Sequence, residues 1–178
     1  VMFVFFPRIA PLWSVPNMSA TAITGMSDTL APGSVTQLGR SAEVVFRARF
    51  NGEIPAAAHR YWRGLVLSDF DGKQWQSVPC QRLPENERRP KLLHYEGESV
   101  SYRVVQEPTR QRWLFALPYA QSDTPGVFAT VDYRLAVAEP IESQFAYDVL
   151  SQARVDFPEP LTPWRYQLET HLPVGANP

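Results

Sequence analysis

The stretch Tyr61-Trp62-Arg63-Gly64-Leu65-Val66-Leu67-Ser68-Asp69-Phe70-Asp71-Gly72-Lys73-Gln74-Trp75 decides the fold class of this chain. Two aromatic-rich runs flank Asp71-Gly72. Asp-Gly between such runs is a strong local signal for a tight β-turn, because glycine takes a positive φ without a Cβ clash. Period-two alternation along the first run places Trp62, Gly64 and Val66 on one face and Tyr61, Arg63, Leu65 and Leu67 on the other. Trp75 follows the turn and can pack back across it. The stretch reads as a buried β-hairpin with no chemistry of its own.

The segments on either side carry the same period. Residues 43–50 alternate, with Val44, Phe46, Ala48 and Phe50 inward and Glu43, Arg47 and Arg49 outward, and Asn51-Gly52 ends that strand. Downstream, strands are expected over 99–105, over 112–117 up to Pro118, over the long alternating run 127–137, and over 145–150. Between the hairpin and these strands, residues 79–90 are polar and proline-punctuated, with Glu85-Asn86-Glu87-Arg88-Arg89 as a solvated, mobile crown. Seventeen prolines and nine glycines suit many turns. The expected fold is mainly β, an antiparallel β-sandwich or barrel-like domain with an extended N-terminal arm and a short C-terminal helix or linker.

Residues 1–6 are wholly apolar, too few for the roughly 20 that span a bilayer, and fit either the end of a longer apolar helix or a first strand. Residues 7–40 read as an arm draped over the domain, with Ser34 capping a short turn over 35–38. The β-domain is expected over 41–151, and 152–178 reads as a linker. Within that linker Thr162 is a helix N-cap, and Pro163 takes the first helical position of a helix running to Thr170.

A chain of 178 residues can bury one proper core. Its 17 basic and 18 acidic residues leave no electrostatic footprint for nucleic acid. Lys73 and Lys91 are the only lysines, so the positive charge is arginine, which can stack on aromatic faces. A single cysteine, Cys80, rules out an internal disulfide and any multi-cysteine zinc site.

Candidate chemistry is sparse. Cys80 could act as a nucleophile only with His59 or His94 as base, yet no helix N-terminus follows it to favour the thiolate. His59, His94 and His171 lack the spacing of a helical metal-binding pair. Asp69 and Asp71 would share a face of an extended strand, a conceivable acid–base or calcium pair, although a turn carboxylate beside glycine more often bonds its own backbone. No catalytic, cofactor-binding or metal-ligating set emerges, and no cofactor is expected.

In order along the chain come Phe5-Phe6-Pro7-Arg8, Pro11-Leu12-Trp13, Thr24-Gly25-Met26-Ser27-Asp28-Thr29-Leu30-Ala31-Pro32-Gly33-Ser34 and Ser41-Ala42-Glu43-Val44-Val45-Phe46-Arg47. Tyr61-Trp62-Arg63-Gly64, Phe70-Asp71-Gly72-Lys73-Gln74-Trp75, Glu107-Pro108-Thr109, Arg112-Trp113-Leu114-Phe115-Ala116-Leu117 and Leu172-Pro173-Val174-Gly175-Ala176-Asn177-Pro178 follow. As an ordered set they resemble the extracytoplasmic segment that precedes the catalytic core in bacterial membrane-anchored transglutaminase-like proteins of the TgpA type. That resemblance implies that residues 1–6 end a transmembrane helix and that the remainder faces the periplasm at the inner membrane. It also implies that a papain-like core with a Cys-His-Asp triad follows Pro178, in a parent that is an acyltransferase or a cysteine protease. Cys80 does not sit in that family's nucleophile context.

The expected function is therefore that of a non-catalytic accessory domain, partnered by the downstream core of the same chain and by the membrane through preceding helices. Its parent would act on a protein or cell-wall substrate. Docking to the core would leave an exposed apolar patch including some of Trp62, Trp75 and Trp113. The alternative is a binding module for peptide or cell-wall glycan, with a groove lined by solvent-facing aromatics.

Overall fold

A computed structural model describes residues 29–31, 43–90, 94–156, 160–173 and 175, with the backbone alone at 94–97 and 153–156. Its strands are β1 (Thr29–Leu30), β2 (Phe46–Phe50), β3 (Asp69–Phe70), β4 (Trp75–Gln76), β5 (His94–Gln106), β6 (Trp113–Leu114), β7 (Ala120–Gln121), β8 (Val127–Ala129), β9 (Leu135–Val137) and β10 (Phe145–Asp156). One helix, α1 (Pro163–Thr170), follows. All pairings among these strands are antiparallel, in sheets ordered β2-β5-β10-β7, β6-β9-β8 and β1-β4-β3. The fold is mainly antiparallel β, as the alternation indicated.

The spine is the long β5–β10 pair, in register at Val104↔Tyr147, Tyr102↔Val149 and Val100↔Ser151. Period two sends Tyr102, Val104, Tyr147 and Val149 to one face, where they meet Leu114, Ala116, Leu117, Leu135, Val137 and Ile141 in a single core. Phe46, Ala48 and Phe50 of β2 pack against it, with Arg47 and Arg49 outward as the alternation requires. Val44 was expected inward but lies before β2 and is exposed.

Several other expectations are corrected. β5 begins at His94 and β10 runs to Asp156, past a register shift between Gln152 and Arg154, because each long strand supplies the other's hydrogen bonds beyond the core. The run 127–137 is a hairpin of β8 and β9, not one strand. Thr130 Oγ1 bonds the Asp132 carboxylate and accepts from Arg134 N–H, and Tyr133 adopts φ 57°, so local side-chain bonds turn the chain where alternation alone suggested continuity. Residues 79–90 form two short 3-10 turns that bury Leu83 and Glu87 rather than a wholly solvated crown. Among the described residues five arginines pair with carboxylates, as Arg47–Glu107, Arg82–Asp69, Arg103–Asp148, Arg134–Asp132 and Arg165–Glu169. Thr162 caps α1 as expected, its hydroxyl accepting from Arg165 N–H at 3.3 Å.

The expected central hairpin is shorter than its sequence suggested. β3 and β4 pair only at Asp69↔Gln76 and Phe70↔Trp75, with the two rings stacked 4.8 Å apart. Gly72 and Lys73 form the tip, Gly72 at φ 98°. The upstream arm instead crosses to the segment after β6: Arg63 and Ala116 exchange backbone hydrogen bonds of 2.8 and 3.0 Å. That crossing needs Gly64, since a Cβ there would lie 2.7 Å from Trp113 Cζ3 and 3.1 Å from Phe115 Cε1. β1, the described part of the N-terminal arm, adds to the free edge of β4. Residues 1–6, the turn expected after Ser34 and the Phe157-Pro158-Glu159 linker lie outside the described residues. Among the described residues no helix is long and apolar enough to cross a membrane.

Residues 113–117 pass over the inner face of the β5–β10 pair, burying backbone polar groups that need partners. Side chains of the spine provide them. Leu117 N–H donates to Tyr102 Oη at 2.7 Å, Tyr102 Oη lies 2.8 Å from Ser151 Oγ, and Ser151 Oγ donates to the Leu117 carbonyl at 3.3 Å. Those directions make Tyr102 the donor to Ser151 and close a ring. Phe115 N–H donates to Gln106 Oε1, Gln106 Nε2 donates to the Trp113 carbonyl, and Tyr147 Oη lies 2.7 Å from the Phe115 carbonyl.

Two predictions follow from this core. Gly64→Ala forces a methyl against fixed aromatic rings and costs about 1–3 kcal/mol, seen as a lower urea midpoint at an unchanged m-value. An unchanged midpoint would show that the rings yield freely. The second concerns alkali. Burial pushes the Tyr102 hydroxyl from 10.0 up to about 12, and burial with Tyr102 nearby raises that of Tyr147 further. Both tyrosines are neutral below their unfolded value, so their contribution to stability is whole there. It is lost as pH climbs from 10.0 toward about 12, where the unfolded chain releases protons that the folded chain retains. The unfolding free energy should fall by about 1.4 kcal/mol per pH unit for each tyrosine over that range, and Tyr147→Phe should remove one share. A slope unchanged by the substitution would contradict the assignment.

Candidate functional site

The potentially reactive residues are dispersed. Cys80 opens a 3-10 turn after Pro79 and is exposed as a free thiol. It lines a cleft of about 330 Å³ with Arg88, Asp132, Arg134 and Arg165. His59 ends the 3-10 turn Ala57–His59 and lines a different groove, of about 990 Å³, beside Tyr61, Glu98 and Tyr119. His171 follows α1 and borders a third hollow, of about 880 Å³, with Asp69, Arg82 and Trp164. The side chain of His94 is not among those described. Cys80, His59 and His171 thus line separate hollows, and among the described residues no three His, Cys, Asp or Glu side chains gather to hold a metal ion.

Asp69 and Asp71 also part company. Asp69 pairs with Arg82 Nη1 at 2.9 Å and accepts from Gln76 Nε2 at 3.2 Å, which ties β3 to β4 and to the following turn. Asp71 Oδ1 accepts from Lys73 N–H and Gln74 N–H, both at 2.8 Å. The Gln74 and Lys73 backbone hydrogen bonds hold its carboxyl below the ordinary 3.8. Each carboxylate has its own structural task.

The tryptophans do not form the expected exposed patch. Trp113 is buried, Trp62 sits edge-on to Phe46 at 4.9 Å and to Tyr102 at 5.6 Å, and Trp75 stacks on Phe70. Exposed apolar surface lies elsewhere, at Ile54 and Tyr61 beside the large groove and at Leu161, Tyr166 and Leu172 around α1. Sequence reasoning placed no function on the arginine-lined cleft, because Arg88 lay in a segment read as solvated and Arg134 in a run read as one strand.

A family model described as the TgpA N-terminal domain matches residues 1–157. The chain belongs to the TgpA N-terminal domain family. It is 39% identical over 183 residues to a protein-glutamine gamma-glutamyltransferase of Pseudomonas aeruginosa, a match covering 100% of this chain and 26% of that relative. It superposes on the crystal structure of the periplasmic domain of TgpA from the same species with a TM-score of 0.70 and 34% identity, covering 84% of this chain and 52% of that one. The ethylmercury-bound form gives a TM-score of 0.71 at 35% identity, over 83% and 52%. This TgpA-family chain therefore spans about a quarter of its curated relative and about half of the solved periplasmic domain. The match supports a periplasmic location and an accessory place within a transglutaminase-like protein.

Proposed function

We propose that this chain is a non-catalytic β-domain of a membrane-anchored transglutaminase-like enzyme, at the periplasmic face of the inner membrane. Residues 1–6 end a preceding membrane helix, and the segment after β10 leads to a papain-like core beyond Pro178. The domain sets the distance of that core from the membrane and packs against it, while acyl transfer or hydrolysis on a protein or cell-wall substrate belongs to the core. The observation that carries this reading is the match over 84% of this chain to 52% of a solved periplasmic domain, which leaves the other half of that domain for a neighbouring unit. Leu161, Tyr166 and Leu172, exposed by 64%, 60% and 53%, offer an apolar contact for such a unit. Replacing Tyr166 and Leu172 by Asp in a protein that carries the core should destabilise it by about 2 kcal/mol or more, while the 178-residue chain alone keeps its stability. Equal stability of the core-bearing protein with and without the substitutions would refute docking through α1.

The large groove favours a second reading, a binding module for peptide or cell-wall glycan. Tyr61 is 71% exposed there, and Tyr119 holds a left-handed φ of 55°, a conformation kept only where surrounding structure enforces it. Titration with soluble peptidoglycan fragments should give saturable NMR shifts centred on Tyr61 and Tyr119. Absence of saturable shifts would remove this reading.

A further inference from the structure

The cleft beside Cys80 is assembled from three separate parts of the chain. The loop after β4 contributes Leu83 and Arg88, the β8–β9 hairpin contributes Phe128, Asp132 and Arg134, and α1 contributes Arg165 and Leu168. Its volume of about 330 Å³ lies at the small end of the range for organic ligands. Three guanidinium groups face one carboxylate, so the lining carries net positive charge.

Those arginines are held in place in different ways. Arg88 donates from Nε to the Leu83 carbonyl at 2.9 Å and from Nη2 to the Gln81 carbonyl at 3.3 Å. Carbonyls orient a guanidinium without neutralising it, and Arg88 pairs with no carboxylate among the described residues. Arg165 lies 3.3 Å from Glu169 across one helical turn. Arg134 is matched more tightly, 2.7 Å from Asp132, with both side chains largely buried. The positive charge left without a carboxylate is therefore that of Arg88, with Arg165, held by Glu169 from outside the lining, a second guanidinium in the same cleft.

The remaining lining narrows the ligand. Leu83, Phe128 and Leu168 are apolar, and Phe128 is 48% exposed, which is unfavourable for a bare, strongly hydrated anion and favourable for an anion on an apolar body. Asp132 at the same surface disfavours a multiply charged ligand such as phosphate. A guanidinium fork matches a carboxylate in geometry and charge.

We propose that this cleft, walled by Arg88, Arg165, Phe128 and the Arg134–Asp132 pair, binds a singly charged carboxylate carried on an apolar group. The C-terminus of a peptide and an acidic side chain within one present the same chemistry. The site does not depend on docking to a catalytic core, and its occupant would be recognised by this chain alone.

Cys80 provides the readout, as the only thiol among 178 residues and a member of the same lining. Its reaction rate with a thiol reagent is measured in the 178-residue chain with N-acetyl-leucine, with the α-amide of N-acetyl-glutamate, with N-acetyl-leucinamide and with inorganic phosphate. Saturable slowing by N-acetyl-leucine assigns the terminal carboxylate, and slowing by the glutamate derivative assigns the side chain. Either supports the site, provided that the uncharged amide and phosphate leave the rate unchanged. Arg88→Gln, and separately Arg165→Gln, should each weaken the protecting ligand by about tenfold, as loss of a charge-assisted bond predicts. Arg165→Gln leaves intact the carbonyl bonds by which Arg88 orders its loop, so it separates lost binding from lost folding. Protection by neither carboxylate, equal protection by the amide or by phosphate, or protection undiminished in both variants would overturn the proposal.

Discussion

The structure depends on how the backbone of residues 113–117 is hydrogen-bonded as it crosses the inner face of the β5–β10 pair. A polypeptide buried against a sheet face, rather than beside its edge, cannot use that sheet's ladder. Tyr102, Gln106, Tyr147 and Ser151 reach up from the sheet and bond the backbone groups of Trp113, Phe115 and Leu117 in turn. Leaving such a group unpaired costs about 1–3 kcal/mol, so the set acts as a register lock as much as a source of stability. Sliding 113–117 by one residue would exchange donors for acceptors and send Leu114 and Ala116 to the wrong face.

Once residues 113–117 are fixed, much of the domain follows. Ala116 presents backbone groups for Arg63, which draws the upstream arm across, and Gly64 lets that arm approach Trp113 and Phe115. The rings of Trp62, Phe46, Phe50 and Tyr102 then close the side of the core near β2. On the other flank β6 pairs with β9, which brings the Thr130–Arg134 turn toward the loop after β4. The arginine-lined cleft is where these two flanks and α1 converge. Its geometry is thus a consequence of the packing, although none of its charged residues lies in the central core.

Legibility in the sequence follows the same division. Strands whose two faces differ in solvation announced themselves: β2 through Phe46, Arg47, Ala48, Arg49 and Phe50, and the middle of β5 and β10 through alternation around Tyr102 and Tyr147. Thr162-Pro163 marked α1 because cap and first-turn chemistry are local. What alternation could not reveal was a turn made by side-chain bonding within an apolar run, as at Thr130 to Arg134. Nor could it show that Arg63 bonds Ala116 while only Val66 and Ser68 keep to the arm after the turn. The cleft was illegible for a related reason, since Arg88, Arg134 and Arg165 stand far apart in the chain and each reads singly as surface charge. The family resemblance drew on the order of several weak motifs and so did not need those contacts.

The absence of an evident catalytic set among the described residues has a physical explanation in how the polar groups are used. A catalytic acid or base needs a value tuned toward its working pH and an unspent hydrogen-bonding position facing substrate. The strongly shifted groups here, Tyr102 and Tyr147, move the other way: burial raises them from 10.0, and their hydroxyls are committed to Leu117, Ser151 and Phe115. They are structural tyrosines, neutral over the whole physiological range. The groups with chemical freedom, Cys80, His59 and His171, sit at the surface and line separate hollows. The polar lock beneath residues 113–117 keeps the outer surfaces in fixed relation, as the positioning role proposed above requires.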